Sequence, residues 1–350
     1  MNSSWQLTSL VNLLLQSPRY AGAVRTLLLK EGFGIPPPKC RWNERLVSNA
    51  LKGLALTDQE RADWKTWLQG KDKDTYDWPD DSWRALLLTL LPNFEMFKMD
   101  WVHDSKRMQK VFERAAGEDK PPGTWPTFRW LREFSIPEWD NDCAVGVQMD
   151  FLQPLIKLPG MRRASCWGVV NGSIGEAEDR SRELFRSSNV THISLHSSFC
   201  EKEIAPVILA CKRLESFVYE HIPSKRPLSL PALYQSLYEH KGSFTEIDIH
   251  YEQRSMRVPS AKESMFLGSF QEVRILKSLR LRAANLLDWA GLIDLPITTL
   301  LEVFPMSLKS ISIDESDEYP CAPSLIEILR GVDSDRGQGR IPLSTLRING

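Results

Sequence analysis

Apolar side chains return along the chain in a short figure: one at a position h, a second three residues later, and a third two residues after that. Ten triplets follow it: Val24/Leu27/Leu29, Phe94/Phe97/Met99, Leu131/Phe134/Ile136, Met161/Ala164/Cys166, Val190/Ile193/Leu195, Leu214/Phe217/Tyr219, Phe244/Ile247/Ile249, Leu276/Leu279/Leu281, Leu308/Ile311/Ile313 and Leu343/Leu346/Ile348. From Phe94 onward the first positions are 37, 30, 29, 24, 30, 32, 32 and 35 residues apart, with one longer gap from Val24 to Phe94. A single apolar triplet is commonplace, but eight consecutive spacings near thirty mark a repeat. In a strand successive side chains alternate, so h+3 and h+5 share a face, while h anchors the chain as it enters.

That apolar face must be covered, and the segments before the triplets supply the cover. Amphipathic stretches at 83–91, 150–158, 201–210, 231–240, 297–304 and 324–330 read as helices. Asp80, Asp81 and Ser82 give a start signal before the first of these, and Pro231 suits the first turn of another. About thirty residues hold one strand and one helix. Each strand then runs the same way as the last, which predicts an α/β fold with a parallel sheet and helices on one side of it.

Helix followed by L-x-x-L-x-L, as in CKRLESFVYEH, ILKSLRLRAANLL and PMSLKSISIDE, resembles the leucine-rich-repeat superfamily. LVNLLLQSPRYAGAVRTLLL, LLLTLLPNFEMFKMDW and LIKLPGMRRASCWG are similar to the fungal F-box/leucine-rich-repeat proteins. The resemblance runs from Leu7 to the C-terminus. It implies a solenoid, or horseshoe, with the parallel sheet on the concave face and helices on the convex face, as one irregular domain of about ten units. It also implies a role as the substrate-recognition subunit of a cullin-RING ubiquitin ligase, in contact with that ligase's adaptor. Two features depart from the family pattern. Where the family ties its backbone with Asn or Cys, three positions past h+5, stand Gly32, Val102, Trp139, Val169, Ser198, Ile222, Glu252, Ala284 and Ser316, which predicts irregular curvature. The three-helix F-box has no room before the first unit.

Residues 30–82 break the rhythm and read as an insertion or an eroded unit. Thr57-x-x-Glu60 is a capping box opening a helix through Leu68, and Trp42, Trp64, Trp67 and Trp78 are expected to close one end of the solenoid.

Composition narrows the function classes. With 42% apolar and 25% charged residues the chain folds, and 44 Lys+Arg against 45 Asp+Glu leave a net charge of −1. No global field draws it to nucleic acid or anionic lipid. Six cysteines without a CxxC pair argue against zinc sites and disulfide frameworks, and read as buried thiols in a reducing, intracellular setting. The N-terminus has no basic n-region, no apolar run spans a membrane, and the sequons at Asn2, Asn171 and Asn189 read as chance matches.

Chemistry has little foothold, and neither an enzyme nor a bound cofactor is expected. Asn171-x-Ser173-x-Gly175 resembles a nucleophile elbow, for which Asp248 and His250, two apart on one strand, supply the downstream acid and base only by coincidence. A serine hydrolase using Ser173 is therefore the alternative from another class, and a scaffold without a ligand face is a third. His192, His196 and Cys200 are four apart; on a strand the two imidazoles sit about 13 Å from each other, too far for one ion. The informative surface is the open strand face at h+2, h+4 and h+6. There Arg163, Trp167, His192, His196, Glu220, Glu246, Asp248, His250, Arg280 and Arg282 form the expected partner-binding set. An acidic step lies between two basic ones, which suits a protein partner better than a phosphate backbone, with Trp167 as the aromatic anchor.

Overall fold

The computed structural model describes residues 3–30, 42–70, 79–100, 105–117, 128–137, 146–171, 185–200, 204–222, 228–251, 267–282, 285, 303–314 and 344–349. The chain divides into two compact units, Met1–Ala164 and Ser165–Gly350. Both are α/β with parallel strands, and in the first nine triplets every side chain is buried except the half-buried Val24.

In Met1–Ala164 the strands β1 (Thr26–Leu29), β2 (Met96–Met99) and β3 (Glu133–Ile136) pair in that order, with Leu27, Phe97 and Phe134 opposite one another. A two-residue strand, β4 (Val147–Gln148), precedes the helix Met149–Ile156. The core is aromatic. Phe97 meets the rings of Phe94, Phe112 and Phe134 at centroid distances of 6.2, 5.9 and 5.5 Å, and Phe128 and Phe151 extend the cluster through Phe112 at 5.4 and 6.0 Å. Burying such a ring stabilises by about 1.5–3 kcal/mol, and tilted or edge-on pairs add about 0.5–1.5 kcal/mol.

Within 30–82 the described residues form two helices, Glu44–Gly53 and Asp58–Leu68, and the start of a third, Pro79–Leu90. The capping box forms as the sequence predicts: the Thr57 hydroxyl accepts from Glu60 N at 3.2 Å, and Glu60 Oε2 accepts from Thr57 N at 2.6 Å. The other carboxylate oxygen of Glu60 takes Arg114 Nη1 at 2.9 Å, while Arg114 Nη2 donates to Ala55 O. The segment is thereby bolted to the helix Lys106–Ala116. Its tryptophans join the segment to its neighbours: Trp64 is buried beside Trp67 on one helix, Trp42 meets Trp83 edge-on at 5.7 Å, and Arg107 lies 4.8 Å over Trp67. Trp78 lies outside the described residues.

Asp81 does a different job from the one its position suggests. The helix Pro79–Leu90 has already begun there, and the buried Asp81 carboxylate instead accepts from Arg107 N at 2.8 Å and Met108 N at 3.4 Å. These are first-turn donors of Lys106–Ala116, whose own N-cap residue, Ser105, makes no side-chain cap bond. One helix thus caps the next from the side.

The strand β5 (Arg163–Trp167) spans the division between the units. In Ser165–Gly350 follow β6 (Val169–Val170), β7 (His192–Ser198), β8 (Ser216–His221), β9 (Glu246–Tyr251), β10 (Ser278–Arg282), β11 (Ser310–Asp314) and β12 (Thr345–Asn349). From β7 to β12 they pair in parallel and in sequence order, and Ile193, Phe217, Ile247, Leu279, Ile311 and Leu346 form one row across them. The h+3 position of each triplet is therefore held in register. Helices Ile204–Ala210 and Leu230–Tyr238 stand in two of the connections, the second with Pro231 in its first turn. The helix expected at 324–330 lies outside the described residues, as does 297–304 except for the buried Val303 and Phe304.

Cys166, Cys200 and Cys211 are buried free thiols, and burial pushes the Cys211 thiol up to about 12. Cys40, Cys143 and Cys321 lie outside the described residues. Among those residues no helix is long and apolar enough to cross a membrane.

Candidate functional site

The open face of β7 to β11 carries two polar clusters, and an irregularity in β7 shapes the first. The pairing of β7 with β8 shifts register between Leu195 and Ser198, and Ser197 takes a positive φ of 47°. A bulge of this kind turns two successive side chains toward one face. Here His196 and Ser197 are both half-exposed, and Ser198 returns to the interior. The buried Ser198 hydroxyl donates to His196 O at 3.0 Å and accepts from Val169 N at 3.4 Å. It ties the backbone from the position where the leucine-rich-repeat pattern carries Asn or Cys.

Trp167 stacks on His196, with centroids 4.9 Å apart and planes within 21°. Ser194 Oγ lies 2.6 Å from His196 Nε2, and His196 Nδ1 lies 3.5 Å from Glu220 Oε2. That oxygen also accepts from Ser197 N at 3.3 Å. The bond from His196 chiefly, helped by Ser197, holds the Glu220 carboxyl below its ordinary value against the opposing effect of burial.

Asp314 is the hub of the second cluster. Its buried carboxylate takes Arg280 Nε at 3.0 Å and Arg280 Nη2 at 3.3 Å, and His250 Nδ1 lies 2.8 Å from Oδ2. Arg280 Nη1 reaches Asp248 Oδ2 at 3.7 Å. Burial raises the Asp248 carboxyl above its usual value, with the Arg280 guanidinium pulling the other way.

The expected site residues therefore divide. Trp167, His196 and Glu220 meet in one cluster, and Asp248, His250 and Arg280 in the other. His192 Nδ1 lies 2.8 Å from its neighbour Thr191 Oγ1, and the exposed Glu246 accepts from Ser216 Oγ at 2.7 Å. Arg163 is exposed and belongs to Met1–Ala164. Arg282 is 6% exposed, because alternation fails at the end of β10, where Leu281 and Arg282 are both buried. The expected basic step on β10 is thus an ion-paired arginine beside a buried one. Asp314, opposite Arg282 in register and buried for the same reason, is the residue missed among the candidates. Period placed it at h+6, but no period announces an ion pair.

Ser173 and Gly175 lie outside the described residues, and the partners the elbow reading needs, Asp248 and His250, are engaged by Arg280 and Asp314. Among the described residues no three His, Cys, Asp or Glu side chains are grouped to hold a metal ion.

No protein-family model, no curated protein and no solved structure matches the chain. Function has to be read from the geometry of this face.

Proposed function

We propose that the chain is a leucine-rich-repeat-like interaction module that holds another protein on the open strand face of Ser165–Gly350. The observation that carries this reading is the pair of clusters, half-exposed Trp167–His196–Glu220 and half-exposed Asp248–Arg280–His250 gathered on the buried Asp314, set on adjacent parallel strands. Strands held in register fix such side chains at set spacings, which gives a partner a rigid pattern to match. Both signs of charge stand close together, an arrangement that selects a complementary protein surface and repels a run of phosphates. Trp167 offers aromatic area at small entropic cost, as interface anchors do. The solenoid architecture, and a place as substrate receptor of a cullin-type ubiquitin ligase, belong to the same proposal through the repeat's resemblance.

The test is affinity purification from native extract, comparing the wild-type chain with a Trp167/Glu246/Arg280 triple alanine variant whose fold is checked by circular dichroism. A protein recovered only with the wild type is expected, and a ligase adaptor beside it supports the receptor role. Identical recoveries from both overturn the assignment of this face.

A further inference from the structure

We infer that Ser194 is a reactive nucleophile, activated by His196 and Glu220, that cleaves esters with a good leaving group. It shares the Trp167–His196–Glu220 cluster with the binding reading but adds the Ser194 contact and is read by covalent labelling, so either can fail without the other. Ser194 Oγ lies 2.6 Å from His196 Nε2, within reach of direct proton transfer. On the far side of the ring His196 Nδ1 faces Glu220 Oε2 at 3.5 Å. With Nδ1–H turned to the carboxylate, Nε2 is left as the acceptor for the hydroxyl proton, which is the order of roles in a serine–histidine–acid relay.

The surroundings hold that order in place. Ser197 N fixes the carboxylate at 3.3 Å, and Gly168 N holds the His196 carbonyl at 2.9 Å. The Trp167 ring stacked on the imidazole sets its plane. The β7 bulge and the positive φ of Ser197 are the second observation: bulges and strained non-glycine residues gather where a strand re-aims a side chain for chemistry. The residue turned outward out of step is Ser197, whose N–H fixes Glu220, and His196 beside it keeps the outward place that alternation gives it, half-exposed and so open to a ligand.

In the step, Ser194 Oγ adds to the ester's acyl carbon as its proton passes to His196 Nε2. The bond from that carbon to the leaving oxygen then breaks, and His196 returns the proton to the departing alcohol. Water repeats the sequence on the acyl-serine, which releases the acid and restores Ser194. Proton transfer by a positioned base is worth about 10²–10⁴-fold. That range suits aryl esters rather than amides.

The experiment treats the full chain with a fluorophosphonate probe, maps the modified peptide, and follows p-nitrophenyl acetate hydrolysis in parallel. The probe is expected on Ser194, with turnover falling at least tenfold in Ser194→Ala and His196→Ala and by a smaller factor in Glu220→Gln. Circular dichroism checks each variant. An unlabelled chain, a label on another serine such as Ser173, or equal turnover by a folded Ser194→Ala variant overturns the inference.

Discussion

The two units build the same strand figure and set the ion pairs of Asp81 and Asp314 in different places. In Met1–Ala164 the most deeply buried ion pair, Asp81 with Arg107, lies among the helices, where it caps one helix from another. In Ser165–Gly350 the Asp314–Arg280–His250 cluster lies on the strand face. The contrast separates two uses of buried charge. Behind the strands a carboxylate secures the order of helices; in front of them it fixes the shape of a surface.

The sharpest way to break the comparison is to remove the phenylalanine cluster, which among the described residues belongs to the first unit. Phe97→Ala opens the phenylalanine cluster and should cost about 3–5 kcal/mol, measured by urea unfolding. A cost below about 1 kcal/mol would mean that the aromatic core is not what holds this unit. Next comes Asp81→Ala. It removes the carboxylate from the buried Arg107 and from two first-turn N–H groups, and should cost about 3 kcal/mol, with Asp81→Asn recovering part of the loss.

The second unit has its own buried group to test. Tyr219 Oη donates to Cys200 O at 2.6 Å, so the contact of 2.9 Å with His221 Nδ1 is one in which the imidazole donates. Burial pushes the His221 imidazole down to about 4. The unfolded chain takes up that proton near pH 6.5 and the folded chain does so only near pH 4. Stability is therefore complete above about pH 6.5 and falls as pH drops through that window, by at most about 3 kcal/mol. Unfolding midpoints measured between pH 7 and 4 should show this slope, and His221→Gln should flatten it. The smallest effect belongs to Thr57→Ala, which deletes half of the capping box on a helix outside the repeat and should cost about 1 kcal/mol.

What the sequence disclosed follows the same division. The triplets were legible because alternation and period are local properties, and they located the buried side of β1 to β3, β5 and β7 to β11 together with the alignment of Leu27 with Phe97 and Ile193 with Phe217. The Thr57 capping box was legible for the same reason. The role of Asp81 was not, because its partners lie 26 and 27 residues away and meet it only in the folded chain. On the open face alternation gave the positions but not the partners. Arg282 was placed outward by a period that ends one residue too soon, and the stack of Trp167 on His196 is a contact between strands that alternation along one strand does not reveal.

The assignment of binding to Ser165–Gly350 is tested most directly by quantitative mass spectrometry of co-purified proteins, with a matched control variant in the other unit. The Trp167/Glu246/Arg280 triple alanine variant is set against a Met96/Lys98/Glu133 triple alanine variant on the strands of Met1–Ala164. The first is expected to lose a wild-type partner at least tenfold while the second retains it. Retention by the first variant, or loss by the second alone, would contradict the assignment.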